Sequence, residues 1–397
     1  MKERQALANV TGGRYRKAAK RKKGEILQEF CQSTGYHRKY AITLLRNAGK
    51  TQLRRIGKET VRVNITATTH RKRVYTRFYD DKVEQAVISI WDFFRRVCGT
   101  RLVPMIRANL PALADKFSIP QDVQAKLATV SRSTVERMLR RERKAHTPKG
   151  TCSTKPGTLL KHQIPVRTFW RWDDKQPGFC EIDTVSHDGG YAAGEYAFTL
   201  SLTDVALCWS EFRALKNKAR KWTQEALEDI RAAFPVPLKG IDSDNGGEFI
   251  NWHLKGWCET RRITFTRGRQ YHKNDNAYVE QKNGDIVRKT VGYARFQGDS
   301  ALSALSSVYA VLNPLMNFFY PNMKCIDKLQ VGQQKKRVYE KELKTPFQRI
   351  MERPDISENI KQSLWEKKDA LDIIGLQESL NAALDNLDRL AHHAPGR

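Results

Sequence analysis

The octapeptide Phe179–Ser186, FCEIDTVS, alternates apolar and polar side chains, the period of a strand with one buried face. It sets Asp183 in mid-strand, where a half-buried carboxylate is rare without a partner. Two more acids stand in comparable places downstream. Asp244 ends a short predicted strand, 238–243, within IDSDNGGEF (241–249), and Glu280 lies in the first turns of a long predicted helix, 275–296, within NDNAYVEQKNGD (274–285). Around them, Gly189, Gly190 and Gly194 turn the chain, and 195–206 and 208–215 predict two more strands adjacent to the first and antiparallel. A helix over 219–234 is closed by Pro235 and Pro237, and a helix over 249–262 precedes a strand over 263–266. The order βββαβαβα describes a mixed sheet with helices packed on it.

An unpaired buried carboxylate costs several kcal/mol or takes up a proton, whereas three converging on a divalent cation offset one another. Hard oxygen ligands favour Mg²⁺ or Mn²⁺ over Zn²⁺. Judged singly, each acid reads more readily as an exposed loop or helix residue; the spacing overturns that reading. Asp183 and Asp244 are separated by 60 residues, Asp244 and Glu280 by 35. With EIDTVSH, IDSDNGGEF, ITFTRGRQYHKNDNAYVEQKN and VRKTVGY, the segment 172–296 resembles the integrase-core polynucleotidyl transferases, retroviral integrases and, more closely, bacterial insertion-sequence transposases of the D,D-35-E pattern. The resemblance extends loosely to the N-terminal region and to TPFQRIM (345–351). It implies an α/β ribonuclease H-like core in which Asp183, Asp244 and Glu280 hold two Mg²⁺ ions (or Mn²⁺). It also implies a DNA transposase that binds the terminal ends of its mobile element, cleaves at the 3′ end and transfers the strand to target DNA. The rival expectation is a DNA-binding regulator with an inactive core; a structure-selective nuclease is a third. The His/Cys zinc module of retroviral integrases has no counterpart in spacing here, so zinc is not carried over.

Asp242 shares a strand face with Asp244, so either could point at the metal, and the DNG turn with the 35-residue interval favours Asp244; Glu181 and His187 share the face of Asp183, as supports or as ordinary sheet residues. Asn283, Val287 and Arg288 follow Glu280 on its helix face. Arg269 and Lys273 before the helix, and Arg288 and Lys289 on it, are candidates for substrate phosphates, or for a solvated face.

The 397 residues carry 71 Lys and Arg against 43 Asp and Glu, a net charge of +28, while 40% hydrophobic residues exclude a disordered tail and point to several buried cores. Residues 1–150 hold 35 basic and 12 acidic side chains, net +23; 151–300 carry +3 and 301–397 carry +2. A double-stranded DNA partner is expected to dock mainly on the first block. There, 15–47 predicts a helix-turn-helix with Ala18, Ile26, Leu27 and Phe30 inward, a turn at Gly35, and a second helix presenting His37, Arg38, Lys39 and Tyr40. A second such pair spans 121–144, with Ser131 as N-cap, Val135, Met138 and Leu139 inward, and Arg132, Ser133, Thr134 and Arg137 outward. His70, Arg71, Lys72 and Arg73 stand in an extended arm or linker.

The chain thus divides into a helix-turn-helix domain (1–58), a basic arm (59–78), a second helical domain (79–147) supported by a helix over 80–97, a linker (148–171), the catalytic core (172–300) and a mainly α-helical C-terminal region (301–397). In that region Lys335, Lys336 and Arg337 form a basic patch, and Leu376, Leu380, Ala383, Leu387 and Leu390 form a seam for a second subunit or for the chain itself. A homo-oligomer is expected on DNA, because two element ends must meet.

The apolar window 308–321 is broken by Asn313, Pro314 and Asn317, and no apolar run follows the charges of residues 1–10, so neither membrane nor signal peptide is expected. The expected compartment is the bacterial cytoplasm, on the nucleoid when DNA is bound. Seven cysteines without a CxxC pair argue against disulfides and a thiolate zinc site. No GxxxxGK[ST] loop is present, so no nucleotide cofactor is expected.

Overall fold

The structure, a computed structural model, describes residues 2–56, 59–65, 78–145, 176–243, 249, 252–267, 279, 282–331 and 334–392. The chain forms two compact units, Met1–Phe78 and Tyr79–Arg397.

The smaller unit packs three helices, α1 (Lys2–Lys17), α2 (Lys20–Thr34) and α3 (Arg38–Asn47), followed by an antiparallel hairpin of β1 (Lys50–Ile56) and β2 (Glu59–Ile65). Ile26, Leu27, Phe30, Ala41 and Leu45 form its core together with Ala8 and Tyr15. Gly35, at φ 69°, ends α2 by donating its N–H to the Cys31 carbonyl (2.8 Å), a left-handed turn that glycine makes without strain. His37 then caps α3, its Nδ1 accepting the Lys39 N–H at 3.3 Å. Helix α1 carries no strong apolar signal because it buries Ala8, Gly12 and Tyr15, mostly small groups. A Cβ on Gly12 would lie 2.9 Å from that of Ala48, so the absent side chain is what lets α1 approach. The hairpin runs across the boundary expected at 58/59, so residues 59–65 are paired strand rather than arm.

The larger unit begins with α4 (Asp81–Phe93), α5 (Gly99–Ala108), α6 (Leu110–Phe117), α7 (Gln121–Thr129), α8 (Arg132–Met138) and α9 (Arg140–Ala145). Asp80 caps α4 through Val83 N–H (3.2 Å), and Ser131 caps α8 through Thr134 N–H (3.2 Å). Val83, Val87, Ile90, Val123, Leu127, Val135 and Leu139 join one apolar cluster with the sheet that follows, so residues 79–145 share the core of this unit instead of closing one of their own.

That sheet has the order β5-β4-β3-β6-β7. Strands β3 (Phe179–Ser186), β4 (Phe198–Asp204) and β5 (Ser210–Leu215) are antiparallel; after α10 (Arg220–Ala233), β6 (Gly240–Ser243) lies parallel to β3, and after α11 (Trp252–Thr260), β7 (Thr264–Arg267) lies parallel to β6. The sheet is tied at its entry by Gly178. Its carbonyl accepts Lys239 N–H (2.8 Å), its N–H reaches Asp204 Oδ2 (2.7 Å), and at φ 98° a Cβ would meet the Pro237 carbonyl at 2.4 Å.

Helix α12 comprises a π-turn, Asn283–Val287, and an α-helical turn, Arg288–Val291. Gly292, at φ 83°, stops it before the Phe296 expected from sequence. Helix α13 (Gly298–Pro314) runs into a second π-turn, Leu315–Phe319; the 22 residues are long and apolar enough to cross a membrane by length and composition. Two buried asparagines show what the helix packs against. Asn317 accepts the N–H and donates to the carbonyl of Ser210 (both 2.9 Å), and Asn313 does the same for Phe212 (3.0 and 3.2 Å). They satisfy the outer edge of β5, which would otherwise be an open pairing edge.

A hairpin, β8 (Cys325–Val331) and β9 (Gln334–Tyr339), interrupts the C-terminal region expected to be mainly helical, and Lys335, Lys336 and Arg337 fall on β9. After α14 (Pro346–Met351) and α15 (Glu358–Asp369), α16 (Ile373–Arg389) buries Leu380, Leu384 and Leu387, packing on α13. The leucine seam is therefore filled by the chain's own core.

Candidate active site

Strand register assembles a polar row across one sheet face. Ser210 on β5 pairs with Thr203 on β4, Thr203 with Glu181 on β3, Glu181 with Asp242 on β6, and Asp242 with Thr266 on β7. All five are buried. Thr203 and Ser210 hydroxyls meet at 3.1 Å, and Thr266 Oγ1 donates to Asp242 Oδ1. Glu181 Oε2 accepts the N–H of Val279 at 3.1 Å. Buried carboxylates persist only with such donors.

Asp183 lies one step further along the same face, opposite Ser201 and half-buried. Its Oδ2 accepts from Asn283 Nδ2 (2.7 Å), and Asn283 Oδ1 accepts in turn from Ser201 Oγ (2.5 Å). One asparagine thus clasps β3 and β4 to the π-turn of α12, a deformation that recurs at functional sites because it re-aims side chains. Asp183 Oδ1 accepts the N–H of Thr184 (2.7 Å). The residue before Glu280 and the residue three after it are therefore both bonded to carboxylates of β3. Ser243, which precedes Asp244, ends β6 in register with Ile182.

Asp244, Glu280, Lys273, Arg269 and Arg71–Arg73 lie outside the described residues. Among the described residues no three His, Cys, Asp or Glu side chains form a metal-binding group. What fits a hard cation is Asp183 itself, an oxygen donor fixed by Asn283 on a partly open face.

Several expected site residues stand elsewhere. Arg288 is buried, donates to the Gly292 carbonyl (3.5 Å) and lies over the Tyr293 ring at 4.9 Å, so it is not held out to a phosphate. His187 lies further along the face of Asp183, its partner Thr199 standing opposite Val185. It is buried against Phe296, its Nε2 2.7 Å from Thr199 Oγ1, which also meets Tyr309. Burial, reinforced by the Arg288 charge, lowers its pKa to about 3, leaving it neutral. Thr134 is half-buried and bonds Ser131 through its hydroxyl (3.0 Å), whereas Arg132, Ser133, Arg137 and Lys289 are exposed. In the smaller unit His37, Arg38, Lys39 and Tyr40 are all exposed. Ser201 escaped the sequence reading because a strand serine in FTLSLTD carries no signal of its own.

The class defined by these features is a mixed α/β protein with an acid-bearing sheet face. No family model matches the chain. It is 35% identical over 336 residues to the uncharacterized protein y4rM of Sinorhizobium fredii (strain NBRC 101917 / NGR234), across 84% of this chain and 91% of that protein. The chain belongs to the family of that protein. Among solved structures it is similar to the catalytic core domain of BIV integrase, at 12% identity and a TM-score of 0.26, over 35% of this chain and 83% of that one.

Proposed function

We propose that the protein is a DNA transposase: a metal-dependent polynucleotidyl transferase that holds the ends of its element as a homo-oligomer on DNA in the bacterial cytoplasm, cleaves at the 3′ end and joins the freed end to target DNA. The observation that carries this is the clasp around residue 280, with Val279 bonded to Glu181 and Asn283 to Asp183. An acid in the sequence between those two anchors, and another directly after β6, is what a two-cation phosphoryl-transfer site requires.

Asp183, Asp244 and Glu280 would hold two Mg²⁺ ions, which when bound would supply charge neutralisation at phosphorus and an activated attacking oxygen. Asn283 keeps one Asp183 oxygen in place, and Glu181 orients the backbone leading to Glu280. His37–Tyr40 at the start of α3 would contact element ends, with Arg132, Ser133 and Arg137 of α8 as a second contact. Because transesterification conserves bond number, no nucleotide is consumed.

The test uses duplexes of the DNA on either side of the gene, where the proposal expects terminal inverted repeats. Asp183→Asn, Asp244→Asn and Glu280→Gln should each lower Mg²⁺-dependent cleavage and strand transfer at least about 100-fold while end binding, followed by gel shift, stays intact. Full activity in any one variant sinks the triad; end binding without any reaction by the unmutated chain favours the regulator.

A further inference from the structure

A cavity of about 280 Å³ opens between the α4–α5 turn, α8, α12 and α13 of the larger unit. Its walls carry Arg95, Arg96, Arg101, Arg132 and Lys289. Among the described residues Glu136 is the one acid lining it, and that carboxylate is taken up by Arg143 and by the Gly99 N–H (3.1 Å). Arg96 also reaches Asp92 (2.9 Å) at the end of α4, an exposed pair that contributes little. Four arginines around one small opening repel one another, and an anion drawn from solution relieves that repulsion.

The turn that presents two of them is built at a cost. Arg95 and Arg96 are consecutive left-handed residues, at φ 53° and 64°, each strained where glycine would be free of strain. The turn is held by Arg95 N–H to Asp92 O (3.0 Å), Arg96 N–H to Trp91 O (2.8 Å) and Trp91 Nε1–H to Val97 O (2.9 Å), so it is formed before any ligand arrives. Four of the five cations are arginines, whose planar fork matches phosphate oxygens. The volume falls below the usual range for enclosed small molecules, while Arg96, Arg132 and Lys289 are exposed at the rim. A phosphodiester backbone passing across the opening suits both facts.

We propose that this seam, where residues 79–145 meet the sheet core, is a docking groove for the sugar-phosphate backbone of duplex DNA. The proposal rests on the DNA-processing function above and adds a surface distinct from α3. It also brings the strand to the chemistry. Lys289 lies six residues along α12 from Asn283, about 9 Å of helix, so a phosphate held there is within two helical turns of the clasp on Asp183.

The full chain is titrated against a fluorescent duplex of random sequence at several salt concentrations, comparing Arg96→Glu/Arg101→Glu, which leaves the α8 contact intact, with Lys341→Glu/Arg389→Glu, which changes net charge equally away from the cavity. The groove variant should bind at least about 10-fold more weakly than the control, with a log-log salt slope shallower by about 2, near 0.9 for each phosphate no longer neutralised. A second measurement needs no substitution. Cys98 lines the cavity and is exposed, so saturating duplex should slow its maleimide labelling several-fold while Cys325 labels unchanged. Equal weakening in both variants, or undiminished Cys98 labelling, overturns the groove and leaves the DNA-processing function standing. Failure of the unmutated chain to bind any duplex overturns both.

Discussion

At the residue scale, Asn283 holds the position on which the site turns. It donates to Asp183 and accepts from Ser201, so Asn283→Ala removes a donor and an acceptor together. Loss of such an outer support should raise the Mg²⁺ concentration for half-maximal strand transfer about 10–100-fold, with duplex affinity unchanged. Glu181→Gln, which keeps an acceptor for Val279, should retain more activity than Glu181→Ala. Asp204 makes a pH-dependent prediction. It is fully buried and accepts the N–H groups of Gly178 and Leu207 (2.7 Å each), yet burial raises its pKa to about 6 from the usual 3.8. The folded state therefore binds its proton more tightly than the unfolded chain, and the resulting stabilisation is full below pH 4 and lost as pH rises through 6. Urea unfolding should show the advantage of the parent over Asp204→Asn shrinking by about 3 kcal/mol across that window; a constant difference would contradict it.

At the element scale, the asparagines of α13 do for β5 what a sixth strand would do. Asn317→Ala leaves the N–H and carbonyl of Ser210 buried without those bonds, an expected loss of about 2–3 kcal/mol in denaturant unfolding. The exposed edge should also raise aggregation on heating, measured by light scattering. The same asparagines tie this long apolar helix to the edge of β5, and they were visible in sequence only as interruptions of an apolar run. Helix α1 illustrates the converse failure, since packing by Ala8 and Gly12 is close but nearly silent in hydrophobic pattern. Strands β3 to β7 and the helices between them were legible because alternation and turn residues agree along the whole segment.

At the scale of the whole molecule, charge and architecture divide together. Residues 1–78 hold 21 Lys and Arg against 4 acids, and they form one unit with its own core. A fragment of residues 79–397 should melt cooperatively by calorimetry at the same midpoint as the larger unit in the full chain, and lose most affinity for element ends. A fragment that fails to fold would contradict the two-unit division. Charge boundaries do not divide the larger unit, because hydrophobic packing does not respect them: α4 to α8 and α16 close on the same core as the sheet.

The amino-acid sequence by itself determined the order of strands and helices from β3 to β7, the three acids with their intervals, and the concentration of positive charge ahead of them. These are local or one-dimensional properties, carried by period, turn chemistry and count. Only the tertiary structure decided that Asn283 and Ser201 serve Asp183, that Arg288 and His187 turn into the core, that the leucine seam is filled from within, and that Arg95, Arg96, Arg101, Arg132 and Lys289 share one opening. Each of these depends on which residues far apart in the chain come to lie within hydrogen-bond or Coulomb range, and register and packing set that, not periodicity.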